Sequence, residues 1–257
     1  MNVVVCVKQV PDPNTTGQLD ASTHFLKRDG VEVVLDPGDE FGIEAGLQLA
    51  EKAGGEVRVV SMGAERGVDA IRKALAMGAT KGILISDDGL RGSDALTTAR
   101  VLAAAIGKEP FDLVITATES TDGYSGVVPQ MVAELLGVTA ITFAKEVEID
   151  GATVKVKRQT ETGYDLVEAE LPAVLSVTAG VNEPRYPSLK GIMGAKSKPL
   201  ERVTPADLGV SGLGGATAGQ RIVAVDPAEE RKAGEIVKDE GDGGKRIADF
   251  LAALKVI

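Results

Sequence analysis

Through residues 1–137 the chain alternates short β-branched runs with longer stretches of helical period, the pattern of a parallel sheet joined by crossover helices. Residues 2–8 (NVVVCVK) predict a buried first strand. Residues 31–35 predict a short extended segment and 39–53 a helix, with Phe41, Ile43, Leu47 and Ala50 on an imperfect apolar face before the Gly54-Gly55 break. The alternation continues with a strand at 56–62 and a helix at 67–76, where Gly78 supplies the positive-φ residue that commonly closes a helix. A strand at 82–86 leads to a helix capped by Ser93 or Asp94, whose face carries Leu96, Ala99, Leu102 and Ile106. Residues 111–117 predict the next strand and 131–136 a helical run.

Beyond residue 137 the rhythm changes. Residues 139–149, 152–159 and 164–170 alternate apolar with polar positions around Asp150-Gly151 and Thr162-Gly163, which predicts a hairpin or meander. A last buried strand is expected at 174–177. Residues 178–202 hold Pro184, Pro187, Pro199 and the cations Arg185, Lys190, Lys196, Lys198 and Arg202, and predict an ordered loop or docking segment rather than a core helix. Residues 204–219 are small and Gly-rich, 226–244 are strongly charged, and Ile247, Phe250, Leu251 and Leu254 form one helical stripe. The expected class is α/β, a doubly wound, mostly parallel sheet with a hairpin or meander addition and a C-terminal arm. The expected division is a domain at 1–200 and an arm at 201–257. A lone short helix is marginal in water, so the stripe must pack either on its own domain or on another subunit.

Composition narrows the chemistry. Aromatic residues make up 3% of the chain and Trp is absent, so the core must be aliphatic. Cys6 is the one cysteine, which excludes an intramolecular disulfide and a cysteine-rich zinc site. His24 is the one histidine, which excludes a multi-histidine metal centre and leaves a serine nucleophile a single potential imidazole base. A net charge of -10 disfavours a binder of nucleic-acid phosphates. The apolar runs fall far short of the roughly 20 residues that span a bilayer, and the expectation is a soluble cytoplasmic protein.

Open α/β sheets bind ligands beyond the carboxyl ends of their strands. The segment after 111–117 offers the hydroxyls of Thr118, Ser120, Thr121 and Ser125, close backbone approach at Gly123 and Gly126, and the amino end of the next helix, all favourable to a phosphate. The same composition also makes ordinary solvated turns. Glu119 and Asp122 oppose an anion among side chains but leave room for backbone contacts or for a carboxylate accepting from a ribose. The first strand is followed by C-V-K-Q-V-P-D-P rather than G-x-G-x-x-G, and no Walker lysine motif occurs, so neither a Rossmann dehydrogenase nor a phosphate-transfer enzyme is expected. Cys6 and Met62 suit either an apolar core or the flank of a base. The basic cluster around Tyr186, Leu189, Ile192 and Met193 reads either as solvated charge or as recognition of an acidic partner.

These motifs carry a family resemblance along nearly the whole chain: V-C-V-K-Q-V-P-D near the start, A-I-R-K-A-L-A-M-G-A at 70–79, E-S-T-D-G at 119–123, L-P-A-V-L-S-V at 171–177 and N-E-P-R-Y-P-S-L-K-G-I-M-G-A-K at 182–196. Together they resemble the beta subunit of electron transfer flavoprotein, in its actinobacterial form. The resemblance implies an adenine-nucleotide α-hydrolase-like fold and a heterodimer whose alpha subunit holds most of the FAD. It also implies a structural AMP in this subunit. Matched by position, the nucleotide contacts fall at Cys6, at Asp36, Pro37, Gly38 and Asp39, and at Met62. They continue along Ala117, Thr118, Glu119, Ser120, Thr121, Asp122, Gly123, Tyr124, Ser125, Gly126, Val127 and Val128. Many members carry D-G-D-T-x-Q in this loop, whereas here Asp122-Gly123 is followed by Tyr124, Ser125 and Gly126, so Tyr124 either stacks or fills the site.

The recognition loop of the family, which docks on acyl-CoA dehydrogenases, would be 177–199, with Leu189 as its exposed anchor and Asn182, Glu183, Pro184, Arg185, Tyr186, Ile192 and Met193 around it. The implied role is an electron carrier without catalytic side chains. It would take electrons from flavoprotein dehydrogenases of fatty-acid β-oxidation or amino-acid oxidation and pass them to a membrane quinone reductase, the arm packing on the alpha subunit. The alternatives are a bifurcating member with a second FAD in place of AMP, a stand-alone nucleotide-binding protein of the universal-stress type, and a nucleotide-activating enzyme of the same superfamily.

Overall fold

Val3, Val4 and Val5 are all buried because the first strand, β1 (Asn2–Cys6), has a neighbour on each side and helices on both faces. The computed structural model describes residues 1–226, 234 and 236–257. It separates into two units, Met1–Arg221 and Ile222–Ile257. Along the first unit, β1 is followed by a two-stranded ribbon of β2 (Gln9–Pro11) and β3 (Val33–Leu35), then α1 (Pro37–Ala53), β4 (Glu56–Met62), α2 (Val68–Met77), β5 (Lys81–Ile85), α3 (Ala95–Ile106), β6 (Leu113–Ala117) and α4 (Val128–Leu136). Next come β7 (Thr139–Asp150), β8 (Thr153–Gln159), β9 (Tyr164–Glu170), β10 (Ala173–Val177), α5 (Leu189–Ala195) and β11 (Leu200–Val203). The second unit contains α6 (Gly243–Ala253).

The nine-stranded sheet has the order β11-β5-β4-β1-β6-β10-β7-β8-β9. From β11 to β7 every pairing is parallel, and β8 and β9 extend the sheet as an antiparallel meander. The period of two sorts the core. Val3 and Val5 join Ile43, Leu47, Ile71 and Leu75 of α1 and α2 on one face. Val4 joins Ala99, Leu102 and Ile106 of α3 and Val132 of α4 on the other. Full burial of each valine, leucine or isoleucine among these is worth about 1.5–3 kcal/mol. Gly38, Gly42 and Gly46 let α1 lie close on the sheet: a Cβ at Gly46 would stand 3.1 Å from Val5 and 3.2 Å from Val3.

Several boundaries differ from the expectation for physical reasons. The sheet does not end at β10, because β11 adds an edge beside β5. Its four residues include Glu201 and Arg202, the charged and short character that protects an edge and hides a strand in sequence. Residues 178–202 are not simply a loop, since Ser188 caps the short helix α5 through the Gly191 N–H. Packing also continues past residue 200: Gly214, Gly215 and Gly219 donate to Ser93 Oγ, Arg91 O and Asp94 Oδ2 beside the start of α3, so the first unit runs to Arg221. Asp94 caps α3 through the Thr97 N–H, but Leu96 is exposed rather than on the buried face. The charged run at 226–244 falls partly on residues 227–233 and 235, outside the described residues. Ile247 and Phe250 of α6, and Leu254 just after it, are exposed. Among the described residues, no helix is long and apolar enough to cross a membrane, and no group of three or more His, Cys, Asp or Glu could hold a metal ion.

Candidate functional site

From β1 the chain crosses to β4 and β5 on one side of the sheet, then returns to β6 on the other. The crevice beyond the carboxyl ends of β1 and β6 is therefore a topological switch point, where such sheets bind ligands. Two segments meet there. Lys8, just past β1, donates from Nζ to Asp122 Oδ1 at 2.6 Å and to Ser120 Oγ at 3.3 Å. The second oxygen of Asp122 accepts from Arg28. Desolvation works against the Asp122 carboxylate, but the two cations outweigh it and hold its pKa below the ordinary value.

The loop after β6 is fixed by Asp36, which is fully buried at the start of α1. Asp36 Oδ1 accepts from the Gly38 N–H at 2.9 Å, capping α1, whose first residue is Pro37, a favoured opening because its missing N–H would have no helical partner. Asp36 Oδ2 accepts from the Thr121 N–H at 2.7 Å and from its hydroxyl at 3.2 Å. Thr118 Oγ1 donates to Val177 O at 3.0 Å, tying the same loop to β10. The chain then turns at Gly123 and Tyr124, whose N–H groups donate to Ser120 O, and enters α4 with no side chain capping that helix. Tyr124 lies at φ 48° and is 65% exposed, so its ring does not fill the crevice. Glu119, Gly123, Ser125 and Val127 are exposed, while Ala117 is buried and Gly126 and Val128 are half-buried.

Cys6 and Met62 pack half-buried against the aliphatic cluster on the α3 and α4 side. Burial, and then the nearby Asp39 carboxylate, push the Cys6 thiol up to about 12, so it is not a thiolate near neutral pH. Asp39 is itself buried and accepts from the Lys8 N–H at 2.6 Å. Burial, followed by repulsion from Asp36, raises its carboxyl well above the usual range. A raised folded pKa means that the ionised form costs stability above it, and the cost disappears once the pH falls below the ordinary value of 3.8. Asp39→Asn keeps an oxygen for the Lys8 N–H and removes the charge. It should therefore raise the thermal midpoint of the nucleotide-free protein by a few degrees at pH 8 and have no effect near pH 3.5, as followed by circular dichroism.

The second group of expected residues divides into struts and an exposed face. Arg185 reaches back to α1: its Nε donates to Glu44 at 2.7 Å, its Nη1 to Glu51 at 2.6 Å, and its Nη2 to both carboxylates at 3.1 Å. Asn182 Nδ2 donates to Phe41 O at 3.0 Å, and its Oδ1 is buried without a partner. Pro184 is half-buried and Glu183 exposed. The expected basic surface is thereby corrected. Lys198 Nζ donates at 2.7 Å to both Leu75 O and Ala79 O at the end of α2, and Arg202 pairs with Glu65, so with Arg185 three of the five cations are engaged within the chain. What faces solvent is apolar: Tyr186 is 96% exposed, Leu189 75%, Met193 71% and Ile192 53%. Lys190 and Lys196 remain exposed beside them.

The site also depends on residues that the sequence reading did not single out. Lys8 meets Asp122 because β1 and β6 are neighbours, and Arg28 reaches the same carboxylate from the 12–32 segment. Glu44 is a carboxylate between Ile43 and Leu47 on an otherwise apolar helix face, a legible sign of a buried partner. A cleft of about 390 Å³ bordered by Met1, Ala53, Asp112, Ile149, Leu171 and Pro172 lies at the opposite, amino-terminal ends of β1, β6 and β10.

The fold is that of a doubly wound, mostly parallel α/β protein, a class that binds ligands beyond the carboxyl ends of its strands. The family model of the electron transfer flavoprotein domain matches residues 23–208. The chain is 44% identical over 264 residues to the electron transfer flavoprotein subunit beta of Mycobacterium tuberculosis strain H37Rv, covering 100% of this chain and 99% of that protein. It is 34% identical over 274 residues to the subunit of the same description from Megasphaera elsdenii, with 100% of both covered. It is also 36% identical over 213 residues to the caffeyl-CoA reductase-Etf complex subunit CarD of Acetobacterium woodii, covering 82% of this chain and 81% of that one. The chain belongs to the electron transfer flavoprotein family, as one of its beta subunits.

Proposed function

We propose that this chain is the nucleotide-holding half of a soluble heterodimeric electron carrier, whose alpha subunit holds most of a FAD. It takes electrons from acyl-CoA dehydrogenases and related flavoprotein dehydrogenases and passes them to a membrane quinone reductase. The observation that carries the nucleotide part is the buried Asp36 carboxylate, which pins the 118–127 loop at the switch point. The residues present fit an AMP. The uncapped amino end of α4 and the glycines of its loop suit the phosphate, and the exposed Glu119 carboxylate is an acceptor for ribose hydroxyls. Cys6 and Met62 supply an apolar flank for the base.

In this reading AMP is structural and FAD supplies the one-electron and hydride chemistry. The chain's own residues perform no proton transfer. They bind, orient and dock. The exposed Tyr186, Leu189, Ile192 and Met193 form a small apolar face held by the Arg185 strut, suited to brief, repeated contact with a donor. Leu189→Ala in the purified heterodimer is expected to lower the rate of reduction by a donor dehydrogenase about tenfold, with flavin content unchanged. Loss of flavin instead would assign Leu189 to the cofactor, and an unchanged rate would remove it from docking.

A further inference from the structure

Residues 12–32 leave the fold at the end of β2 and re-enter it at β3, where the Asp12 N–H donates to Glu32 O at 3.0 Å. None of them is buried, yet they are internally ordered. Leu19 bridges Leu26, and the Lys27 N–H donates to Gln18 O and the Asp20 N–H to Phe25 O, each at 2.8 Å. The Asp20 carboxylate gathers the N–H and hydroxyl groups of Ser22 and Thr23.

This segment is held at three places, each beyond the carboxyl end of a different strand. After β4, Arg66 donates to Arg28 O at 3.1 Å and Val31 O at 3.3 Å, while its own carbonyl accepts from Gln9 Nε2 at 2.8 Å. After β5, the Phe25 ring lies so close to Gly92 that a Cβ there would come within 2.8 Å of it. After β6, Arg28 pairs with Asp122, whose side chain is 3% exposed and also holds Lys8 from the end of β1.

We propose that residues 12–32 form a strap closed over the switch-point crevice, with the Arg28–Asp122 ion pair as its latch, so that the strap sets how fast the nucleotide enters and leaves. The proposal rests on the reading that the crevice holds a nucleotide. A segment with no buried residue has little apolar stability of its own, and its residence over the strand ends depends on a few anchors. The charge-assisted bond to a nearly inaccessible carboxylate is the strongest kind among them. Arg28 is itself exposed, and Lys8 keeps Asp122 paired when it is removed, so Arg28→Ala opens the strap without unfolding the loop beneath.

The test uses the full chain with its alpha subunit. Bound AMP is chased with a fluorescent AMP analogue, and hydrogen exchange is followed over residues 12–32. Arg28→Ala is expected to speed release about tenfold and to raise exchange in the strap, with Arg28→Lys restoring part of both. Phe25→Ala should act in the same direction. Faster strap exchange with an unchanged release rate would show a latched segment that covers nothing, and unchanged exchange would show no latch; either overturns the proposal. Failure of the nucleotide reading looks different, because the wild-type complex would then yield no AMP, and the exchange measurement alone would decide whether the latch exists.

Discussion

Replacing Asp36 by alanine is expected to cost the protein about 4 kcal/mol of unfolding free energy, against the roughly 5–15 kcal/mol typical of a folded domain. The carboxylate is fully buried and accepts from the Gly38 N–H, the Thr121 N–H and the Thr121 hydroxyl. Without it, three donors lose their partner at once, and each buried unsatisfied polar group costs about 1–3 kcal/mol. The loss is structural and functional together, since the same oxygens cap α1 and hold the 118–127 loop. Asp36→Asn keeps one acceptor but turns an amide N–H₂ toward the remaining donors, so it should recover only part of the loss. Urea unfolding at pH 7, read together with nucleotide content, checks both variants. A change below about 1 kcal/mol in the alanine variant would mean that the loop is held by something else.

The second large effect belongs to Arg185. Its guanidinium is the main partner of Glu44, which is 3% exposed on α1 and otherwise receives the Arg185 backbone N–H at 3.3 Å and the Gln48 side-chain amide at 2.8 Å. Arg185→Ala leaves that carboxylate buried with its charge uncompensated, a change that typically costs about 3 kcal/mol. Arg185→Lys retains the charge but not the fork that spans Glu44 and Glu51, and should rescue less than half. Because Arg185 also sets the base of the exposed Tyr186–Leu189 face, the alanine variant should slow donor reduction even where the subunit stays folded.

The pH dependence provides an independent check on that strut. Desolvation opposes ionisation of Glu44, but the hydrogen bonds from Arg185 and Gln48 outweigh it, and its pKa lies below the ordinary 4.5. A depressed carboxylate contributes stability that is fully present above 4.5 and is lost as the pH falls through the lower folded value. The wild-type loop should therefore stay docked down to that range. In Arg185→Ala the buried, unpaired carboxylate takes up a proton at higher pH, so the penalty of the substitution should shrink on acidification. Hydrogen exchange over residues 182–188 at pH 7 and pH 5 measures this directly.

The parts of the fold that were legible in the sequence are those whose physics is local. The V-V-V run of β1 and the alternating residues of β8 state their burial pattern, although Arg58 and Ser61 of β4 are buried against their type and Phe143 of β7 and Leu166 of β9 are exposed against theirs. By contrast β11, L-E-R-V, is half charged, and α5, L-K-G-I-M-G-A, is a two-turn helix with two glycines whose formation depends on packing against α2 and on the Ser188 cap. Neither carries a period long enough to read.

The candidate site divides in the same way. The loop after β6 could be located because ligands collect at strand ends. The meeting of Lys8 and Arg28 with Asp122 could not, because strand order and the fold of the 12–32 segment bring together residues more than ninety positions apart. The basic cluster misled for a related reason: a lysine that caps a helix, like Lys198, has the same sequence signature as a solvated one.

The most direct measurement is the cofactor inventory of the chain purified together with an electron transfer flavoprotein alpha subunit, with bound nucleotides released by denaturation and separated by chromatography. The expected result is a yellow heterodimer that yields one FAD and one AMP. A colourless chain that retains no alpha subunit, or a heterodimer that yields two flavins and no AMP, would contradict it.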